Sequence, residues 1–106
     1  MNHGLQKRDI DSITKASEEL PEIEEVILFG SRAKGNFEKA SDIDLAIKGK
    51  TITNITVTRL SSRLNEELPL PYFFDVVHFE SIGNPDLIGH IDRIGKVIYR
   101  KKFRPK

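Results

Sequence analysis

Two short β-rich runs lie close together in the chain, and their spacing limits how they can pair. Residues 26–29 form an apolar run that ends at Gly30, which is typical of a buried strand. Residues 42–47 alternate polar and apolar side chains, which predicts a second strand. Because only a short connection separates the two runs, we expect the strands to lie side by side in antiparallel orientation.

Further elements are predicted on both sides of these strands. Asn54 and Asn84 are suitable N-caps, and Gly95 ends the last helix. The additional elements are helices over residues 5–19, 31–34, 54–68 and 85–94 and strands over residues 72–79 and 97–99. This order predicts one domain over residues 1–106 with an α+β fold, in which helices pack mainly on one face of a small mixed sheet.

Two aspartates in the second strand indicate a metal site. Residues i and i+2 of a strand face the same side, so Asp42 and Asp44 are expected to project together. Adjacent carboxylates repel each other unless a cation neutralises them, and hard oxygen ligands suit Mg²⁺. Asp9 and Asp11 have the same spacing but fall in a predicted helix, where they diverge and are interpreted as acids favoured by the helix dipole.

The segment after the first strand is a candidate phosphate-binding loop. Gly30 allows close approach of the backbone, the Ser31 hydroxyl can bond a phosphate oxygen, and Gly35 permits the chain to turn back. Two readings remain open for Arg32 and Lys34, which either reach phosphates or are ordinary surface charges of a helical turn.

A third carboxylate, Asp75, begins an apolar run in the predicted strand 72–79. A charge at this position indicates a bound ligand, although a strand-end cap is an alternative reading. If neighbouring strands bring Asp75 beside Asp42 and Asp44, the set could hold two Mg²⁺ ions with a nucleoside triphosphate. Asp75 is then also a candidate general base.

These segments resemble a known family motif. Gly30-Ser31-Arg32-Ala33-Lys34-Gly35 followed by Ser41-Asp42-Ile43-Asp44 is similar to the defining motif of polymerase-β-type nucleotidyltransferases. The chain as a whole resembles their minimal branch over about residues 20–100. The resemblance implies a palm-like fold, phosphate contacts from Gly30 and Ser31, and Mg²⁺ ligands at Asp42, Asp44 and Asp75. Lys34 stands where many members have arginine.

The resemblance also implies a partner, because so small a unit leaves little to bind an acceptor. Minimal members usually act with a helical HEPN-type protein, often as an antitoxin that transfers AMP from ATP to a tyrosine of its toxin. Two alternatives are a two-subunit enzyme acting on a small molecule and a binding module without catalysis. We expect ATP or another NTP as substrate.

Composition excludes several other classes. The net charge of +1 predicts no direct binding to nucleic acid, although a basic tail follows residue 99, at Arg100, Lys101, Lys102, Arg104 and Lys106. Apolar runs are too short for a membrane span, and no secretory signal is visible, so we expect a cytoplasmic protein. His3, His78 and His90 lack zinc spacing, and His90 is interpreted as isolated on a helix.

Overall fold

The computed structural model describes residues 3–35, 38 and 41–102, and the secondary structure alternates between helices and strands along the chain. The helices are α1 (Lys7–Glu18), α2 (Gly30–Lys34), α3 (Asn54–Ser62) and α4 (Pro85–Ile94), and the strands are β1 (Glu25–Phe29), β2 (Ile43–Lys48), β3 (Phe74–His78) and β4 (Lys96–Arg100). A π-helical turn (Arg63–Glu67) extends α3. In these described ranges, no helix has the length and apolar character needed to cross a membrane.

The strands form one mixed sheet in the order β3-β2-β1-β4. β1 is antiparallel to both of its neighbours, β2 and β4. β2 and β3 are parallel, and the helix α3 lies in the connection between them, as parallel neighbours require. The predicted mixed sheet and the antiparallel pairing of the first two strands are both confirmed.

The sheet has apolar side chains on both faces because alternate residues of a strand point in opposite directions. Val26 and Leu28 of β1 belong to the larger core, which includes residues of α1 and α3. Ile27 and Phe29 point to the opposite face and join a smaller cluster with Ile91 of α4. Most helical packing therefore lies on one face, and α4 covers part of the other.

The start of α3 differs from the prediction, because Thr53 and not Asn54 is the N-cap. The Thr53 backbone N–H donates to Thr56 Oγ1 at 3.2 Å, and the Thr56 N–H donates to Thr53 Oγ1 at 3.4 Å. Thr56 is buried and its hydroxyl also donates to Glu22 Oε2 at 2.8 Å. This tertiary bond holds the threonine pair in place, so the local preference of Asn54 for a cap is overridden.

The described part of the basic tail bonds to its own chain. The Arg100 guanidinium pairs with Glu25 at 3.0 Å, and Lys101 Nζ donates to the Pro21 carbonyl at 2.9 Å. Arg104 and Lys106, which the sequence analysis included in the tail, lie outside the described residues. The bonds of Arg100 and Lys101 connect the end of β4 to the start of β1 and to the segment before it.

Candidate active site

Three aspartates lie at one end of the β2–β3 pair. Asp44 is the second residue of β2, Asp75 is the second residue of β3, and the two are direct partners in the parallel register. Their side chains point to the face of the smaller cluster, since Ala46 and Val77, two residues further along, belong to that cluster. Asp42 directly precedes β2, so the strand begins one residue later than predicted.

The charges of these carboxylates act on one another. Burial raises the pKa of the Asp44 carboxyl above its usual value, and the neighbouring charges of Asp75 and Asp42 raise it further. Within residues 3–35, 38 and 41–102, no three acidic or histidine side chains lie close enough together to form a metal site as they stand. The carboxylates of Asp75 and Asp42 are thus near enough to that of Asp44 for their charges to disfavour its ionised form.

This set of oxygen ligands fits Mg²⁺. Asp42 and Asp75 are exposed and free to reorient, whereas Asp44 is half-buried in the sheet. Carboxylates are the protein ligands that Mg²⁺ prefers, and the ion would neutralise the repulsion that raises the pKa of Asp44. Asp42, Asp44 and Asp75 are therefore the residues that would hold a Mg²⁺ ion, and their assignment as ligands stays a prediction.

The backbone at Gly30 lies directly against Asp44. Gly30 has φ +76°, a left-handed conformation that side chains rarely adopt, and a Cβ at this position would collide with Asp44 Oδ2. The preceding residue, Phe29, is the strand partner of Asp44. The sheet register therefore brings Gly30, the residue before Ser31, to the Asp44 carboxylate. Lys34 is exposed at the far end of α2.

Arg32 has a role that neither reading of the sequence included. It is buried, with 1% of its surface exposed, so it is not a surface charge. Its Nε and Nη2 donate to the Ser41 carbonyl at 3.2 and 3.0 Å, and its Nη1 donates to the His3 carbonyl at 3.1 Å. Because Ser41 precedes Asp42, the guanidinium ties α2 to the chain entering the carboxylate site.

A half-buried tyrosine and a buried aspartate complete this support. The Arg32 guanidinium lies 5.1 Å from the ring centroid of Tyr72, and the Tyr72 hydroxyl donates to Asp9 Oδ2 at 3.2 Å. Asp9 also accepts the Gln6 backbone N–H at 2.9 Å, at the start of α1. The predicted helix-start acid is therefore also a buried link to the site.

The strand that carries Asp75 is held by Asn65 of the π-helical turn. Asn65 Oδ1 accepts the Phe74 N–H at 2.7 Å, and Asn65 Nδ2 donates to the Phe74 carbonyl at 2.9 Å. The amide side chain thus pairs with the backbone as a further strand would. Since Phe74 precedes Asp75, Asn65 fixes the position of the third carboxylate.

His90 of α4 also reaches the site, which the sequence analysis missed. Its Nε2 accepts the Gly30 N–H at 3.1 Å, and its ring lies edge-on to Phe29 with centroids 6.1 Å apart. The interpretation of His90 as isolated is therefore wrong. The two residues are far apart in the chain, and a single histidine on a helix carries no pattern that could have revealed the contact.

Comparison with known proteins agrees with this geometry. The family model described as "Polymerase beta, Nucleotidyltransferase" matches residues 11–104. The chain belongs to this nucleotidyltransferase family. No curated protein sequence matches it significantly.

Solved structures share the nucleotidyltransferase fold. A chain from a toxin–antitoxin crystal structure with AMP-PNP is 26% identical, with a TM-score of 0.72 over 89% of this chain and 75% of that one. A chain from the toxin–antitoxin MntA-HepT is 24% identical at TM-score 0.68, covering 91% and 74%. A Sulfolobus solfataricus protein described as a nucleotidyltransferase is 21% identical at TM-score 0.54, covering 87% and 77%.

The buried arginine of this nucleotidyltransferase predicts a large effect on stability. Arg32→Met should lower the free energy of unfolding by about 3 kcal/mol, because the Ser41 and His3 carbonyls lose charged donors. Lys34→Met, on the exposed end of the same helix, is the matched control and should change it by less than about 0.5 kcal/mol. Urea denaturation measures both, and equal effects would contradict a supporting role for the guanidinium.

Proposed function

We propose that this nucleotidyltransferase transfers AMP from ATP to a hydroxyl group of a partner protein, with Mg²⁺ as cofactor and in the cytoplasm. One observation carries the proposal: the Asp44 carboxylate lies against the backbone of Gly30, and it is near enough to Asp75 and Asp42 for their charges to raise its pKa. Carboxylates beside a glycine-serine turn combine cation binding with phosphate binding, which is what transfer of a nucleoside monophosphate requires.

Each residue has a chemical role in this proposal. Asp42, Asp44 and Asp75 hold Mg²⁺, which when bound offsets the negative charge of the triphosphate. The Ser31 hydroxyl donates to a phosphate oxygen and orients it. Asp75 accepts the proton of the acceptor hydroxyl, whose oxygen forms a bond to the α-phosphorus as the bond to pyrophosphate breaks.

The choice of a protein acceptor rests on exposure and on similarity. Asp42 and Asp75 are exposed, so their carboxylates are open to a surface supplied by another molecule. A structure 26% identical to this chain is a toxin–antitoxin with AMP-PNP, an ATP analogue. Together with the motif, this similarity favours ATP as donor and a HEPN-type toxin as acceptor, with this chain acting as the antitoxin.

Transfer can be tested with ATP labelled on the α-phosphate, Mg²⁺ and lysate from the source organism, followed by a denaturing gel. We expect a labelled protein band with the wild type and at least a hundredfold less label with Asp42→Asn/Asp44→Asn, because the variant loses two cation ligands. Asp11→Asn/Asp92→Asn, which removes two exposed carboxylates elsewhere, is the matched control and should label the band normally.

Other outcomes would contradict the proposed acceptor or the proposed catalysis. Label that moves to a small molecule with pyrophosphate release would indicate a small-molecule nucleotidyltransferase. No transfer of label from any NTP would favour a binding module. The raised pKa of Asp44 argues against that last alternative, because a carboxylate that is repelled by its neighbours and binds no cation only costs stability.

A further inference from the structure

We propose that His90 is a positioning residue of the nucleotide site, which acts by holding the Gly30 peptide in the orientation that nucleotide binding needs. This inference rests on the proposed function and adds to it a residue outside the glycine-serine and carboxylate motif. The contact that carries it is the hydrogen bond from the Gly30 N–H to His90 Nε2 at 3.1 Å.

The bond gives His90 a definite role. Its Nε2 accepts the Gly30 N–H, as an imidazole nitrogen without a hydrogen can. The ring is also held by its edge-on contact with Phe29, at an interplanar angle of 80°. Ile91, the next residue of α4, is buried in the smaller cluster and anchors the helix. His90 is therefore a fixed acceptor on a packed helix.

Gly30 needs such an external acceptor. With φ +76° and no side chain, its peptide can rotate more freely than that of any other residue type. Its Cα lies so close to Asp44 that a Cβ would collide with the carboxylate. Rotation of this peptide would therefore displace Ser31 on one side and alter the space around Asp44 on the other.

The same hydrogen bond separates the roles of Gly30 and Ser31 in the turn. Because the Gly30 N–H is already donated to His90, we assign the phosphate contact to the Ser31 hydroxyl. Gly30 then allows the backbone to lie close to Asp44, and His90 holds the Gly30 peptide rigid. Loss of the acceptor at His90 should therefore weaken nucleotide binding more than it slows the chemical step.

Two variants of His90 distinguish the effect of its acceptor nitrogen from the effect of its ring. His90→Phe keeps a ring against Phe29 but removes the acceptor, whereas His90→Gln places an amide oxygen near the position of Nε2. We expect His90→Phe to raise the KM for ATP about fivefold or more with a smaller change in kcat, and His90→Gln to restore most of the loss. Asp92→Asn, exposed on the same helix, should match the wild type.

A second measurement does not depend on activity. Hydrogen exchange at the Gly30 amide, followed by NMR without nucleotide, should be about fivefold or more faster in His90→Phe and close to wild type in His90→Gln. Equal exchange in wild type and His90→Phe would overturn the proposal, and so would a His90→Gln variant as impaired as His90→Phe. If the wild type binds no nucleotide, the proposed function fails, and Gly30 exchange still decides whether His90 orders the turn.

Discussion

Replacing Asp44 with Asn is expected to abolish nucleotidyl transfer and, at the same time, to raise the melting temperature. Loss of a ligand that supports several kcal/mol of transition-state stabilisation corresponds to a rate loss of about 10³-fold. The gain in stability arises because burial and the charges of Asp75 and Asp42 raise the pKa of Asp44 in the folded protein. Its ionised form therefore costs stability at neutral pH, and Asn removes that cost.

The pH dependence of this gain has a definite sign. The folded state binds the Asp44 proton more tightly than the unfolded state, so this residue makes wild-type stability fall as pH rises through and above its ordinary pKa of 3.8. The melting-temperature advantage of Asp44→Asn should be full at neutral pH and disappear as the pH approaches 3.8 from above.

Calorimetry with and without Mg²⁺ and ATP checks both parts of the Asp44 prediction. The ligands should raise the melting temperature of the wild type more than that of Asp44→Asn, since only the wild type retains the full set of carboxylates. Asp92→Asn is the control, because it removes an exposed charge from α4. An Asp44→Asn variant that is active, or one that is less stable than the wild type at neutral pH, would contradict this account of the site.

Gly30→Ala is expected to impair activity far more than stability. A side chain is unfavourable at φ +76°, so the substitution should lower the free energy of unfolding by about 1–2 kcal/mol. The new Cβ would also collide with Asp44 Oδ2, which lies at the end of a side chain that can swing away. That movement relieves the clash but displaces a proposed cation ligand, and a displacement of about 1 Å can cost about 10²-fold in rate.

Two other glycines separate these effects. Gly35 also has a positive φ, +87°, but a Cβ there would meet nothing within 4 Å. Gly35→Ala should therefore lower the free energy of unfolding as Gly30→Ala does, with little loss of nucleotidyl transfer. A Cβ at Gly83 would also meet nothing within 4 Å, and no left-handed conformation strains it. Gly83→Ala should therefore change stability by less than about 0.5 kcal/mol. Similar activity in the Gly30 and Gly35 variants would argue against close approach of Gly30 to Asp44.

The sequence was sufficient to predict the mixed sheet and to select three carboxylates as candidate ligands, because local patterns indicate both. Strand alternation placed Asp42 and Asp44 on one side, and the odd position of Asp75 in an apolar run marked it as a candidate. The parallel register then brings Asp75 directly beside Asp44. The error in the N-cap, at Asn54, arose where the distant Glu22 bonds Thr56 and fixes a threonine cap.

The residues that support the site could not be predicted in the same way. His90 meets Gly30 only because α4 packs across the second face of the sheet. Arg32 is buried because carbonyl groups from two other segments and the Tyr72 ring surround its guanidinium. These contacts depend on how elements pack, and no spacing or composition within one segment encodes them.

The position of β3 has a consequence for the order in which the site is acquired. During synthesis the chain emerges from its N-terminus, so Gly30, Asp42 and Asp44 leave the ribosome before Asp75. β1 and β2 can pair locally, whereas β3 joins β2 in parallel only after α3 has crossed the sheet. In the proposed site, an unfinished or partly unfolded chain thus lacks the third carboxylate, and transfer would begin only when the outer strand docks.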